Sequence, residues 1–141
     1  MGDFCAGRTR DGVILVGRIL LVVLFLIFGW QKLTGFAGTV GYFSQLGVPL
    51  PPVAAIVAIM MEFFVGLAIL LGVLTRPLAL LFAIYTLATG FLGHQYWTMT
   101  GVEQVEAMIN FYKNVSIIGG FLLLYVTGAG KYSLDARIGL G

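Results

Sequence analysis

The chain has 141 residues, eight Lys and Arg against six Asp and Glu, one His and one Cys. Hydrophobic residues make up 60% and charged residues 10%, with a mean hydropathy of +1.02, so a water-facing surface, which takes about 25% charged residues, cannot be built from this set. The scattered cations exclude a nucleic-acid surface, Cys5 alone excludes a disulfide framework or a CxxC pair, and one His far from one Cys excludes a normal metal site.

Taken in order, residues 1–11 hold Asp3, Arg8, Arg10 and Asp11 and read as a polar tail in which Cys5 is a bystander. Residues 12–33 form the first membrane span, interrupted only by Arg18 before its far end. That run exceeds a signal-peptide core, and Gly29-Trp30-Gln31-Lys32-Leu33 follows in place of a small-residue cleavage site, so the span is expected to stay uncleaved. Between Thr34 and Leu50, Phe36, Val40, Phe43 and Leu46 recur at helical spacing and predict a short amphipathic helix lying in the interface, stopped by Gly47. The second span covers 51–75, with prolines where a first helical turn tolerates them, and Glu62 is its only charge. Arg76-Pro77 makes a tight turn into a third span, 77–97; residues 98–106 read as a polar loop and 110–127 as the fourth span, ended by Gly128 and Gly130.

Four spans place both termini on one side, together with Arg8, Arg10, Arg76, Lys131 and Arg137, and the positive-inside rule makes that side cytoplasmic. Trp30, Tyr96, Trp97, Phe111 and Tyr112 then form an aromatic belt at the outer interface. The expected architecture is an all-α membrane protein, a single domain built as a four-transmembrane-helix bundle with one interfacial helix between spans 1 and 2.

Glu62 is the residue that demands an explanation. A carboxylate in mid-span costs roughly 2.5–3.5 kcal/mol on insertion scales, and its short side chain cannot reach water, so it must face sister helices. Arg18, Val22, Phe25, Gly29 and Lys32 form one stripe on the first span; Ala55, Ala58, Glu62 and Gly66 share a side of the second. Thr86, Thr89, Gly90, Gly93, His94 and Trp97 do so on the third, and Asn110, Lys113, Asn114, Ile117 and Gly120 on the fourth. The stripes predict a polar seam and a candidate pocket of Arg18, Lys32, Glu62, His94, Lys113 and Asn114. Blander uses stand beside this: the cations can snorkel to headgroups, His94 can be a structural hydrogen-bonding residue, and a Glu62–Arg18 or Glu62–Lys113 pair can be purely architectural.

These residues sit in stretches that resemble the DoxX family of small bacterial inner-membrane proteins. The likeness is carried in order by Gly17-Arg18-Ile19-Leu20, Phe28-Gly29-Trp30-Gln31-Lys32, Gly47-Val48-Pro49, Met61-Glu62-Phe63 with Gly66, Gly72-Val73-Leu74-Thr75-Arg76, Gly93-His94, Asn110-Phe111-Tyr112-Lys113-Asn114 and Gly128-Ala129-Gly130-Lys131-Tyr132-Ser133-Leu134-Asp135. The resemblance implies a four-helix protein of the bacterial inner membrane, and some members of the family are subunits of membrane oxidoreductase assemblies, including a thiosulfate:quinone oxidoreductase.

Three functions are compatible with these features. An accessory or binding component would hold a lipid or small amphiphile in the seam, with no catalysis of its own. A quinone-linked oxidoreductase subunit would set Lys32, His94 and Lys113 on quinone carbonyls with Trp30 or Trp97 stacked on the ring and Glu62 relaying a proton; no redox centre is evident in the chain, so a bound quinone or a partner subunit would supply one. Small-solute transport would need a homo-oligomer, since four short helices leave little room.

Overall fold

The computed structural model describes residues 2–140, with side chains from Gly7 to Leu140, so the bystander reading of Cys5 lies outside the described side chains. Helix α1, Gly2–Thr34, turns at Gly35 into the short α2, Phe36–Gln45. The chain then reverses through Gly47 at φ 73° and Leu50 at φ 49°, and Pro51 and Pro52 open α3, Pro51–Ile59. A six-residue π-helical turn, Met60–Val65, joins α3 to α4, Gly66–Leu71, and the three run as one rod. Gly72, left-handed at φ 75°, caps that rod, and α5 follows over Thr75–Gly93. A single 3-10 turn, Tyr96–Thr98, leads to α6, Gly101–Thr127, and a short α7, Leu134–Arg137.

Among the described residues, four helices are long and apolar enough to cross a membrane: Gly7–Thr34, Pro51–Leu71, Thr75–Thr98 and Gly101–Thr127. The expected bundle of four spans and one short helix is the observed one, with shifted ends. α1 continues backward through the polar tail and α6 begins at Gly101 rather than near 110, because hydropathy marks where the bilayer ends and not where the helix does. The second rod stops at Leu71 instead of 75, where Gly72 caps it, and α5 starts at Thr75 rather than at Pro77.

The stripes face inward as their spacing requires. Val22 and Phe25 of α1, Met61 and Ile69 of the second rod, Ala79, Phe82 and Ala83 of α5, and Phe121 and Leu124 of α6 make the core. Its centre is a layer of three rings: Phe82 stacks on Phe121 at 4.7 Å and Phe25 tilts against Phe82 at 4.6 Å. α5 pairs most extensively with α6, and α1 with the π turn and α4.

Below the ring layer the end carrying the termini is tied by two buried charges. Arg18 donates to the carbonyls of Ala129 (2.6 Å), Tyr132 (2.8 Å) and Leu70 (3.1 Å), joining α1 to the last turn of α4, where a helix leaves carbonyls unsatisfied, and to the connection between α6 and α7. Asp135 accepts from the backbone N–H of Leu74 (2.7 Å) and Thr75 (2.8 Å), capping α5 at its positive end, and its own N–H bonds Gly72. Snorkelling is therefore not what Arg18 does; it is a clasp.

Candidate functional site

The site is built on the π turn. α1 approaches it so closely that a Cβ at Gly29 would lie 2.7 Å from the backbone nitrogen of Phe63 and 3.0 Å from the carbonyl carbon of Glu62. That contact sets the register of the two rods and brings Lys32, one turn beyond Gly29, level with Glu62. The Lys32 ammonium bonds one Glu62 oxygen at 2.7 Å, and the Tyr85 hydroxyl of α5 donates to the other at 2.5 Å. Both carboxylate oxygens are thus held, from opposite sides, by a cation and a neutral donor. The Lys32 ammonium also lies 5.8 Å from the centre of the Phe28 ring.

These three side chains line a partly open cavity of about 320 Å³ at the end of the bundle away from the termini. Leu24, Phe25 and Phe28 of α1, Phe43 of α2 with Leu46 just after it, and Ile117 of α6 supply its apolar surface. His94, Lys113, Asn114 and Thr89 add polar groups. Asn114 is positioned by its amide, which donates to the Thr86 carbonyl and the Thr89 hydroxyl, both at 3.2 Å. Lys113 is exposed and, among the described residues, donates to the Asn110 side-chain oxygen alone, at 3.3 Å. Glu62 is the sole acid among the described residues that line the cavity. Phe25 belongs both to this cavity and to the ring layer, so packed aromatic side chains lie beneath it.

A second hollow of about 240 Å³ adjoins the first, sharing Phe43, Leu46, Tyr85, Thr89 and Gly93 with it. Its remaining lining, Val48, Ala54, Val57, Ala58, Ala88 and Leu92, is wholly apolar and lies between α2, the second rod and α5. Polar cavity and apolar groove meet under α2.

Of the sequence-derived candidates, the structure brings Lys32, Glu62, His94, Lys113 and Asn114 to one cavity. Arg18 is not with them: about 21 Å separates it from Lys32 along α1 at the helical rise, and its guanidinium serves the clasp described above. The Glu62 partner is neither Arg18 nor Lys113 but Lys32. Trp30 and Trp97 do not line the cavity either; both are half exposed, Trp30 against Phe63 and Trp97 in a ring cluster with Phe91, Tyr96 and Phe111. The aromatic lining is instead Phe25, Phe28, Tyr42, Phe43 and Tyr85. Tyr85 is the residue the polar stripe omitted, although it stands one helical turn before Thr89 on the same face.

Among the described residues no group of three or more His, Cys, Asp or Glu is placed to hold a metal ion. The DoxX family model matches residues 13–95. Inner membrane protein YphA of Escherichia coli (strain K12) is 52% identical over 95% of this chain and 96% of its own length. Inner membrane protein YqjF of the same organism is 47% identical over 91% of this chain and 93% of its own. CatD of Bacillus subtilis (strain 168), which bears a provisional oxidoreductase name, is 32% identical over half of each chain. No solved structure matches the chain.

Proposed function

This chain belongs to the DoxX family and is a multi-pass inner-membrane protein, and from that premise we propose that it is a binding component whose cavity takes up a lipid-soluble amphiphile. One observation carries the reading. The Lys32–Glu62–Tyr85 set forms a cavity wall instead of being packed over by side chains, so its charged and hydroxyl groups are presented to whatever occupies the cavity. A cavity of about 320 Å³ falls within the range of small-molecule sites, which combine an apolar lining with a few convergent polar groups. The ring layer of Phe25, Phe82 and Phe121 lies across the bundle beneath it, which favours holding a ligand over passing a solute through.

The similarity to CatD favours a second reading, a quinone-linked subunit of an oxidoreductase assembly. The lining suits a quinone ring: Lys113 and His94 offer hydrogen bonds to carbonyls, and Phe28 and Phe43 offer faces for stacking. A bound quinone would supply two-electron chemistry, and the electrons would come from a partner subunit.

Extraction of the purified protein with organic solvent tests both. The expected result is an amphiphile recovered in near-stoichiometric amount; a quinone in that extract selects the second reading, and repeated preparations with no such molecule contradict the proposal. We further propose that both termini are cytoplasmic, on the strength of Arg8, Arg10, Arg76, Lys131 and Arg137 at that end. Alkaline phosphatase fused after Leu140 is then expected to be inactive and a green fluorescent protein fusion bright; the reverse pattern would invert the topology.

A further inference from the structure

We infer that the ligand is a single-chain amphiphile with an anionic head, held by Lys113 and His94, its tail lying in the apolar groove beneath α2. This rests on the binding reading above and adds charge, shape and route of entry. Charge comes first. Lys32 and Glu62 neutralise each other at 2.7 Å, and no second acid among the described residues lines the cavity. Lys113 is left as an uncompensated cation with only a neutral amide oxygen at 3.3 Å, and half-buried His94 stands close enough to feel its charge. A cavity at the edge of the hydrocarbon region, with one cation more than its acids balance, is complementary to a carboxylate or phosphate.

Shape follows from the junction of the two hollows. The groove continues the cavity through Phe43, Thr89 and Gly93, and its own residues are small or aliphatic, so it offers an alkyl chain a bed and a polar group nothing. The second rod and α5 wall the groove and α2 covers it, giving space for one chain rather than two. Lipid tails are as apolar as these side chains, so moving the tail from bilayer to groove gains little and selectivity must reside in the head group. Entry is sideways from the membrane, since the groove lies between helices.

Protein in phosphatidylcholine nanodiscs tests this by tryptophan fluorescence and thermal stability, with dodecanoate, dodecyl phosphate and dodecanol as probes. The expected result is that one or both anions bind and raise Tm while the alcohol of equal length binds about tenfold more weakly or less well still. Carboxylate against phosphate identifies the head. Lys113→Gln is expected to remove the preference for the anion and Lys113→Arg to keep it; because Lys113 is exposed, neither change threatens folding. Ala88→Trp, which fills the groove alone, is expected to abolish dodecanoate binding but not that of butanoate. Equal binding of anion and alcohol, or an anion preference that survives Lys113→Gln, overturns the inference. Binding of a neutral quinone without binding of either anion overturns it too while leaving the proposed function standing.

Discussion

Lys32→Met is expected to lower stability by about 3 kcal/mol and Glu62→Gln by only about 1 kcal/mol. The asymmetry comes from position. Glu62 sits in mid-rod with its side chain 9% exposed, so removing Lys32 leaves a carboxylate with Tyr85 as its remaining donor. Lys32 is 23% exposed and two residues from the end of α1, so after loss of Glu62 it can swing its long stem to the headgroups. Breaking a fully buried pair from one side costs about 3–5 kcal/mol, and the partial exposure of Lys32 sets the expectation at the lower bound. The double variant should cost about 2 kcal/mol, less than Lys32→Met alone, which corresponds to a coupling of about 2 kcal/mol in a double-mutant cycle read by unfolding in mixed micelles. Additive effects would mean that the two groups are not paired in the bilayer.

Gly29→Ala is expected to cost about 2 kcal/mol, because its Cβ would press on backbone rather than on a side chain that can turn away. The atoms it meets are the Phe63 nitrogen and the Glu62 carbonyl carbon, so α1 must move off the π turn and Lys32 must draw back from the carboxylate. Gly17→Ala is the control: it lies on the same helix, exposed, with nothing near the added carbon, and should leave stability unchanged or slightly raised. π turns recur at functional sites, where the extra residue per turn redirects a side chain. Here the turn spans Met60–Val65 with Glu62 inside it. A Gly29→Ala variant that melts with the wild type would show that the two rods do not touch as closely as described.

What could be read from the residues, and what could not, separates along one physical line. Faces were legible. The stripe Arg18, Val22, Phe25, Gly29, Lys32 is turned inward along its length because the 3.6-residue period fixes which side chains share a side, and Ala55, Ala58, Glu62 and Gly66 are all buried although the π turn intervenes. Relative heights were not. Counting from Pro51 places Glu62 about 16 Å into its rod, and counting from Thr34 places Lys32 only about 3 Å into α1, which would keep them apart. The rods are not flush: Gly29 docks at Glu62 and Phe63, and α2 bridges the step between the end of α1 and the higher start of α3. Nothing in either helix alone records that offset. Arg18 misled for the same reason, since its face was right but its level was that of the Ala129 and Tyr132 carbonyls. Those carbonyls lie in the connection after α6, where Gly128 at φ 71° and Gly130 at φ 79° turn the chain. Aromatic placement failed differently. Trp30 and Trp97 sit where amphipathic rings favour the interface, and the cavity takes Phe28, Phe43 and Tyr85 from positions that composition does not single out.

The most direct test of the ligand-holding cavity uses Gly93. It lines both hollows, and a Cβ there meets nothing within 4 Å, so Gly93→Phe places a ring in the empty space without straining the fold. Native mass spectrometry of wild-type and Gly93→Phe protein, released from the same membranes, reads occupancy in one experiment. The expected spectrum shows wild-type chains carrying a small-molecule adduct that the folded variant lacks; the same adduct on both, or none on either, would contradict a ligand site in this cavity.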